Sequence, residues 1–136
     1  GKQPPIHGTG KQSRDFTYID NVVEANILAA TTSVSPSLRG GTVGADEAIS
    51  TPRVFCEVFN VACGQDASIL QLVDTLNKIM NTQIKPAFTP IRQGDVFKTL
   101  ADISKIKTTL GYQPKVSFEE GLRKTVEWFE KQRVSV

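Results

Sequence analysis

Ser13-Arg14-Asp15-Phe16-Thr17-Tyr18-Ile19-Asp20-Asn21-Val22-Val23 passes from a charged, turn-like segment straight into helical periodicity. From Thr17 to about Thr31, Ile19, Val22, Val23, Asn26, Ile27 and Ala30 recur on one helical face, which predicts a helix with that stripe inward. Before it, Pro4-Pro5-Ile6-His7-Gly8 reads as a short extended piece ending in the Gly8-Thr9-Gly10 turn. No strand–glycine turn–helix–strand unit occurs in the chain, so a complete dinucleotide fold is not expected.

Beyond the first helix, residues 32–52 shift to Ser, Thr, Gly and Pro, and read as a flexible surface insert. Val54 to Ala62, rich in β-branched and aromatic residues, predicts a buried strand. Residues 64–67 read as a turn. Ser68 or Asp66 caps a helix to about Met80, with Ile69, Leu72, Val73, Leu76, Ile79 and Met80 as its apolar stripe. Lys85–Thr89 and Thr99–Ala101 are candidate strands. Asp102 caps a small helix with Ile103, Ile106 and Leu110 inward, stopped at Gly111. Ser117-Phe118-Glu119-Glu120 is a capping box that opens a last helix through Leu122, Val126 and Phe129. The expectation is an α+β fold of about four helices and two to four short strands, without the Rossmann half.

Composition excludes several functions. At 136 residues with a formal net charge of +2, the chain has neither the basic bias nor the basic–aromatic interleaving of a nucleic-acid binder. No apolar run approaches the ~20 residues of a membrane span. A cytoplasmic location is expected. Cys56 and Cys63 on one strand would stand roughly 20 Å apart, too far for a disulfide, so they read as small core residues. A single histidine, His7, is too little for zinc.

Two glycine-rich decoys fail. Gly8-Thr9-Gly10-Lys11-Gln12-Ser13 lacks the first glycine of a phosphate loop and the hydroxyl that follows its lysine. Ser13 also stands where a dinucleotide fingerprint needs a third glycine. Gly41-Thr42-Val43-Gly44 has no preceding strand.

The arginines carry more. A guanidinium is a rigid donor fork matched to phosphate oxygens, and Arg14 and Arg92 converging on one diphosphate would hold an activated substrate. Taken alone, Arg14 is also compatible with a local ion pair and Arg92 with a solvated loop charge. Asp95, beside Gly94, offers a carboxylate to sugar hydroxyls. His7 can lie flat against a base or simply at the surface. Tyr18 and Tyr112 have Val22 and Val116 four residues on, so neither has the lysine that would lower a catalytic tyrosine's pKa. No catalytic residue is identified.

In order and spacing, these segments resemble the C-terminal half of extended short-chain dehydrogenases/reductases, the NAD-dependent nucleotide-sugar epimerases and dehydratases. They are most similar to UDP-N-acetylglucosamine and UDP-glucose 4-epimerases. Pro5-Ile6-His7-Gly8, Ser13 to Val23 with Ala25-Asn26, Phe59-Asn60-Val61-Ala62-Cys63-Gly64 and Arg92-Gln93-Gly94-Asp95-Val96 carry the resemblance. So do Leu100 to Lys105, Leu110-Gly111-Tyr112-Gln113-Pro114 and Glu119-Glu120-Gly121-Leu122. The resemblance implies that Pro5, Ile6 and His7 lie along a uracil, that Arg14 and Arg92 bind the diphosphate, that Asp95 contacts the ribose, and that Thr99 lies near the nucleotide. It also implies NAD as the cofactor, with its binding loop and the Tyr-x-x-x-Lys pair outside this chain, and members about twice as long. Residues 1–136 would then form the nucleotide-sugar-binding C-terminal domain of a longer enzyme of polysaccharide biosynthesis, inactive alone. The alternative is a non-catalytic module that binds a partner chain or itself through an exposed apolar face.

Overall fold

The computed structural model describes residues 2–32 and 57–134. The expected insert at 32–52 lies outside them except for Thr32, and so do Val54, Phe55 and Cys56. Within them stand four helices and four short strands, the numbers the sequence predicts: β1 Pro5–His7, β2 Ser13–Arg14, α1 Ile19–Thr31, β3 Ala67–Ser68, α2 Ile69–Ile79, β4 Ala87–Thr89, α3 Ser104–Leu110 and α4 Phe118–Val134; β2 is not among the expected strands, and β3 begins in what reads as a turn.

The strands form two separate pairs. β1 runs parallel to β4, with Ile6 opposite Phe88, and β2 runs antiparallel to β3, with Arg14 opposite Ala67. The candidate strand at 99–101 is corrected: pairing falls one residue earlier, as a lone parallel bridge between Ser13 and Lys98. The strand expected over 54–62 is also corrected, since residues 57–62 pair with no described strand. Their carbonyls are held by side chains instead: Lys105 Nζ donates to Val58 O at 2.9 Å and the Tyr112 hydroxyl to Ala62 O at 3.0 Å. Backbone groups without a ladder must find such partners or water.

The core consists of Ala25, Ala62, Ile103, Ile106, Leu110 and Tyr112, with Leu28, Phe59, Val61 and Ala101 packed against it. The small helix therefore turns Ile103, Ile106 and Leu110 inward as predicted. It ends at Gly111, whose φ of +68° lies in the left-handed region that glycine enters without steric penalty. Asp102 acts from two residues before α3, its Oδ1 accepting from Ser104 N at 2.8 Å. Ser68 caps α2 reciprocally: its Oγ accepts from Gln71 N, and Gln71 Oε1 accepts from Ser68 N. At α4 only half of the predicted box forms. Ser117 Oγ accepts from Glu120 N at 3.3 Å, while the Glu120 carboxylate is taken by Arg123 on the next turn.

The first helix is rotated from the sequence expectation. Its buried residues are Asn21 and Ala25, whereas Ile19, Val23 and Ile27 are about half exposed. Asn21 decides the rotation. Its Oδ1 accepts from Lys115 N at 2.9 Å and Val116 N at 3.0 Å, and its Nδ2 donates to Val116 O at 2.8 Å. One buried amide thus satisfies three backbone groups of the segment leading into α4, and the line Asn21–Ala25–Leu28 faces the core. Phe129 on α4 is likewise outside, at 59% exposure. No described helix is long and apolar enough to cross a membrane.

Candidate functional site

β2 is the hub onto which distant segments converge. Ser13 N donates to Phe97 O at 2.9 Å, and Thr99 N donates to Ser13 O at 3.1 Å, so the stretch after residue 96 lies along the Arg14 strand. On the other side Ile69 N donates to Gln12 O at 3.1 Å, tying the start of α2 to the same strand. Arg14 therefore stands on a backbone fixed from both edges.

The Arg14 guanidinium uses that position to bind Asp95. Nη2 lies 2.6 Å from Asp95 Oδ1, and Nη1 donates to Ser13 O at 2.8 Å. Both partners are partly covered, 27% and 30% exposed in their side chains. Asp95 sits in a tight turn in which its own N donates to Arg92 O at 3.2 Å, with Gly94 at φ +83°. That conformation strains any residue with a Cβ, which accounts for glycine there. Arg92 and Asp95 are thus on one turn, and that turn is docked on Arg14. The local ion pair allowed for Arg14 with its neighbour Asp15 does not form. The Arg92 side chain points out and pairs with no carboxylate among the described residues.

Close by, Lys98 Nζ lies 3.2 Å from Asp66 Oδ1. The Ser13 hydroxyl and then the Lys98 ammonium hold the Asp66 carboxyl below its usual range. Arg14 is thus answered by Asp95 and Lys98 by Asp66, whereas Arg92 is exposed on the same turn as Asp95.

The first strand lies at the opposite end of the same 90–97 loop. His7 Nδ1 is 3.0 Å from Thr89 Oγ1 and 3.4 Å from Pro90 O, while the Thr89 hydroxyl donates to Ile6 O. Pro5 and His7 are exposed, but Ile6 is only 4% exposed, so beyond its backbone it offers little to a ligand. The structure therefore joins Arg14, Asp95 and Thr99, places Arg92 on the Asp95 turn, and sets His7 where that loop begins. The cluster is open. The groove of about 380 Å³ between Phe16, Cys63, Gln71 and the start of α4 contains none of these residues.

Two residues escaped the sequence reading. Asp15 accepts from Cys63 N at 3.0 Å and Gly64 N at 2.9 Å, clamping the chain beyond Arg14 to the segment at 63–64. Asn21 is the other, and nothing local sets its amide apart from that of Asn26 on the same helix. Cys63 is a free, half-buried thiol.

Residues 1–125 match the family model described as GDP-mannose 4,6 dehydratase. The chain belongs to this family, the extended short-chain dehydrogenases/reductases that act on nucleotide sugars. A probable UDP-glucuronate 4-epimerase of Rhizobium meliloti is 33% identical over 96% of this chain and 38% of its own length. The UDP-glucose 4-epimerase of Thermotoga maritima, solved with UDP-glucose, superimposes with a TM-score of 0.76 at 36% identity, over 96% of this chain and 36% of that one. The UDP-glucuronic acid 4-epimerase of Bacillus cereus, solved with UDP-glucuronic acid and NAD, gives a TM-score of 0.74 at 31% identity over the same shares. The chain spans about a third of the length of the curated relatives it matches, so they are nearer three times its length than the expected two.

NAD accompanies that relative, but the described residues do not fit it. The Gly8–Gly10 turn leads from β1 into β2 and not into a helix N-terminus, and neither two-stranded sheet supplies a strand–glycine–helix crevice.

Proposed function

We propose that this chain is the UDP-sugar-binding portion of a nucleotide-sugar 4-epimerase of the UDP-glucose or UDP-N-acetylglucosamine type. Arg14 and Arg92 grip the diphosphate, Asp95 meets the ribose, Thr99 lies near the nucleotide, and Pro5, Ile6 and His7 border the base. The observation that carries this reading is the docking of the Arg92–Asp95 turn on Arg14, which brings together residues 78 or more positions apart in sequence. An exposed arginine on the turn that docks on a tethered one suits a group with two adjacent phosphates. Similarity to epimerases solved with UDP-glucose and UDP-glucuronic acid supports the same substrate class.

Neither Tyr112 nor Tyr18 is placed to act as base at a sugar hydroxyl. Tyr112 is wholly buried with its hydroxyl on Ala62 O, and burial pushes that hydroxyl's pKa up, the wrong direction for a base. Tyr18 lies under Lys124, 5.3 Å from its ring, and that ammonium is engaged by Asp20. The purified chain is therefore expected to bind UDP weakly and to leave UDP-galactose and UDP-N-acetylglucosamine unchanged in a coupled assay. Turnover above a heat-treated control would contradict this.

A second reading rests on the apolar stripe that α1 leaves outside. Ile19, Val23 and Ile27, each about half exposed, form a face on which a second chain could bury its own apolar side chains. Sedimentation equilibrium over a range of concentrations distinguishes self-association through that face from a monomer.

A further inference from the structure

The bond between Arg14 and Asp95 has a consequence for what this surface accepts. A carboxylate on a guanidinium occupies donors that a phosphate would use, with similar planar geometry and the same sign of charge. A phosphate arriving at Arg14 must either displace Asp95 or sit beside it, and two anions on one fork repel.

We propose that Asp95 is a selectivity residue that competes internally with bare anions for Arg14 and yields to a ligand carrying hydroxyl donors beside its phosphates. This rests on the reading of Arg14 as a diphosphate ligand. The geometry supplies both halves of the exchange. The loop bearing Asp95 is pinned at its two ends, by Gly8 N to Thr89 O at 2.9 Å and by Ser13 N to Phe97 O at 2.9 Å. Between those anchors Gly94 permits the turn to reorient, and Ile91, Val96 and Phe97 are all more than half exposed, so little packing resists movement. The Asp95 carboxylate can thus leave Arg14 without unthreading β2.

Once displaced, the carboxylate needs donors. Inorganic pyrophosphate offers it at most an acidic O–H and adds repulsion, whereas a ligand with adjacent neutral hydroxyls can satisfy both oxygens. Asp95 therefore penalises free anions and favours a nucleoside diphosphate. In a solution where free phosphate is abundant, that discrimination keeps the arginines available.

The test compares inorganic pyrophosphate and UDP on the full chain, wild type, Asp95→Asn and Arg14→Ala, by NMR titration of the arginine side-chain N–H signals. Asparagine keeps the size of the side chain and removes its charge. Asp95→Asn is expected to tighten pyrophosphate binding about fivefold, the factor equivalent to about 1 kcal/mol for a part-exposed charge pair, while weakening UDP binding. Arg14→Ala should weaken both ligands. If Asp95→Asn leaves pyrophosphate affinity unchanged while Arg14→Ala lowers it, Asp95 is no competitor and the role of Arg14 stands. If Arg14→Ala changes neither ligand, the diphosphate reading itself fails. If neither wild type nor Asp95→Asn responds to pyrophosphate, the proposal is overturned, because the freed fork should have shown binding.

Discussion

Asn21→Leu is expected to destabilise the fold by about 3–5 kcal/mol in denaturant unfolding, a large share of the roughly 5–15 kcal/mol that holds a domain together. Leucine fills similar space without a donor or acceptor. It leaves the N–H groups of Lys115 and Val116 and the carbonyl of Val116 with no partner, at a site where Asn21 is 1% exposed. Each orphaned group costs about 1–3 kcal/mol. The effect should be local as well as global: amide exchange at Lys115 and Val116 should accelerate more than at Ile106 in the core. A loss below about 1 kcal/mol would mean that solvent satisfies those groups and that the amide does not orient α1.

Tyr112→Ala should cost about 3–5 kcal/mol, because a fully buried aromatic ring leaves a cavity that its neighbours refill only in part. Tyr112→Phe isolates the hydroxyl. It removes the 3.0 Å bond to Ala62 O and should cost about 1 kcal/mol. The two variants also differ in alkali. Burial first, and then the neighbouring Cys63 and Asp15, raise the Tyr112 pKa above its ordinary 10.0. The unfolded chain therefore ionises this tyrosine at lower pH than the folded chain does. Its stabilising effect is complete below pH 10.0 and is lost as pH rises toward the folded value. Wild type should lose stability above that point more steeply than Tyr112→Phe. Parallel alkaline profiles would show that the hydroxyl ionises as easily in the fold as outside it.

What the sequence made legible was local chemistry. Ser68 with Gln71, Gly111 after a three-residue apolar set, and Ser117 before α4 each act within a few positions, and their side chains do what their types dictate. The rotation of α1 was hidden because its cause lies 94 and 95 positions away, at Lys115 and Val116. An apolar stripe at helical spacing predicts a buried face only when no buried polar anchor overrides it, and here Asn21 does. Residues 57–62 illustrate the same limit. Strand composition was evident, but a ladder needs a neighbouring strand, and among the described residues none lies alongside. Reading an arginine as a phosphate ligand required only its type and the resemblance of its surroundings. That Arg14 already grips Asp95 could not be read from two segments 81 positions apart.

The proposed site requires Arg14 and Arg92 to serve one diphosphate. The direct measurement is the UDP affinity of the chain with Arg14→Ala, with Arg92→Ala and with both, followed by NMR because the binding is weak. Each single change is predicted to weaken UDP about tenfold or more, the loss of a charge-assisted bond to phosphate. The double variant should lose less than the product of the two, since both forks act on the same group. UDP affinity unchanged by either single substitution would show that the two arginines do not share a diphosphate.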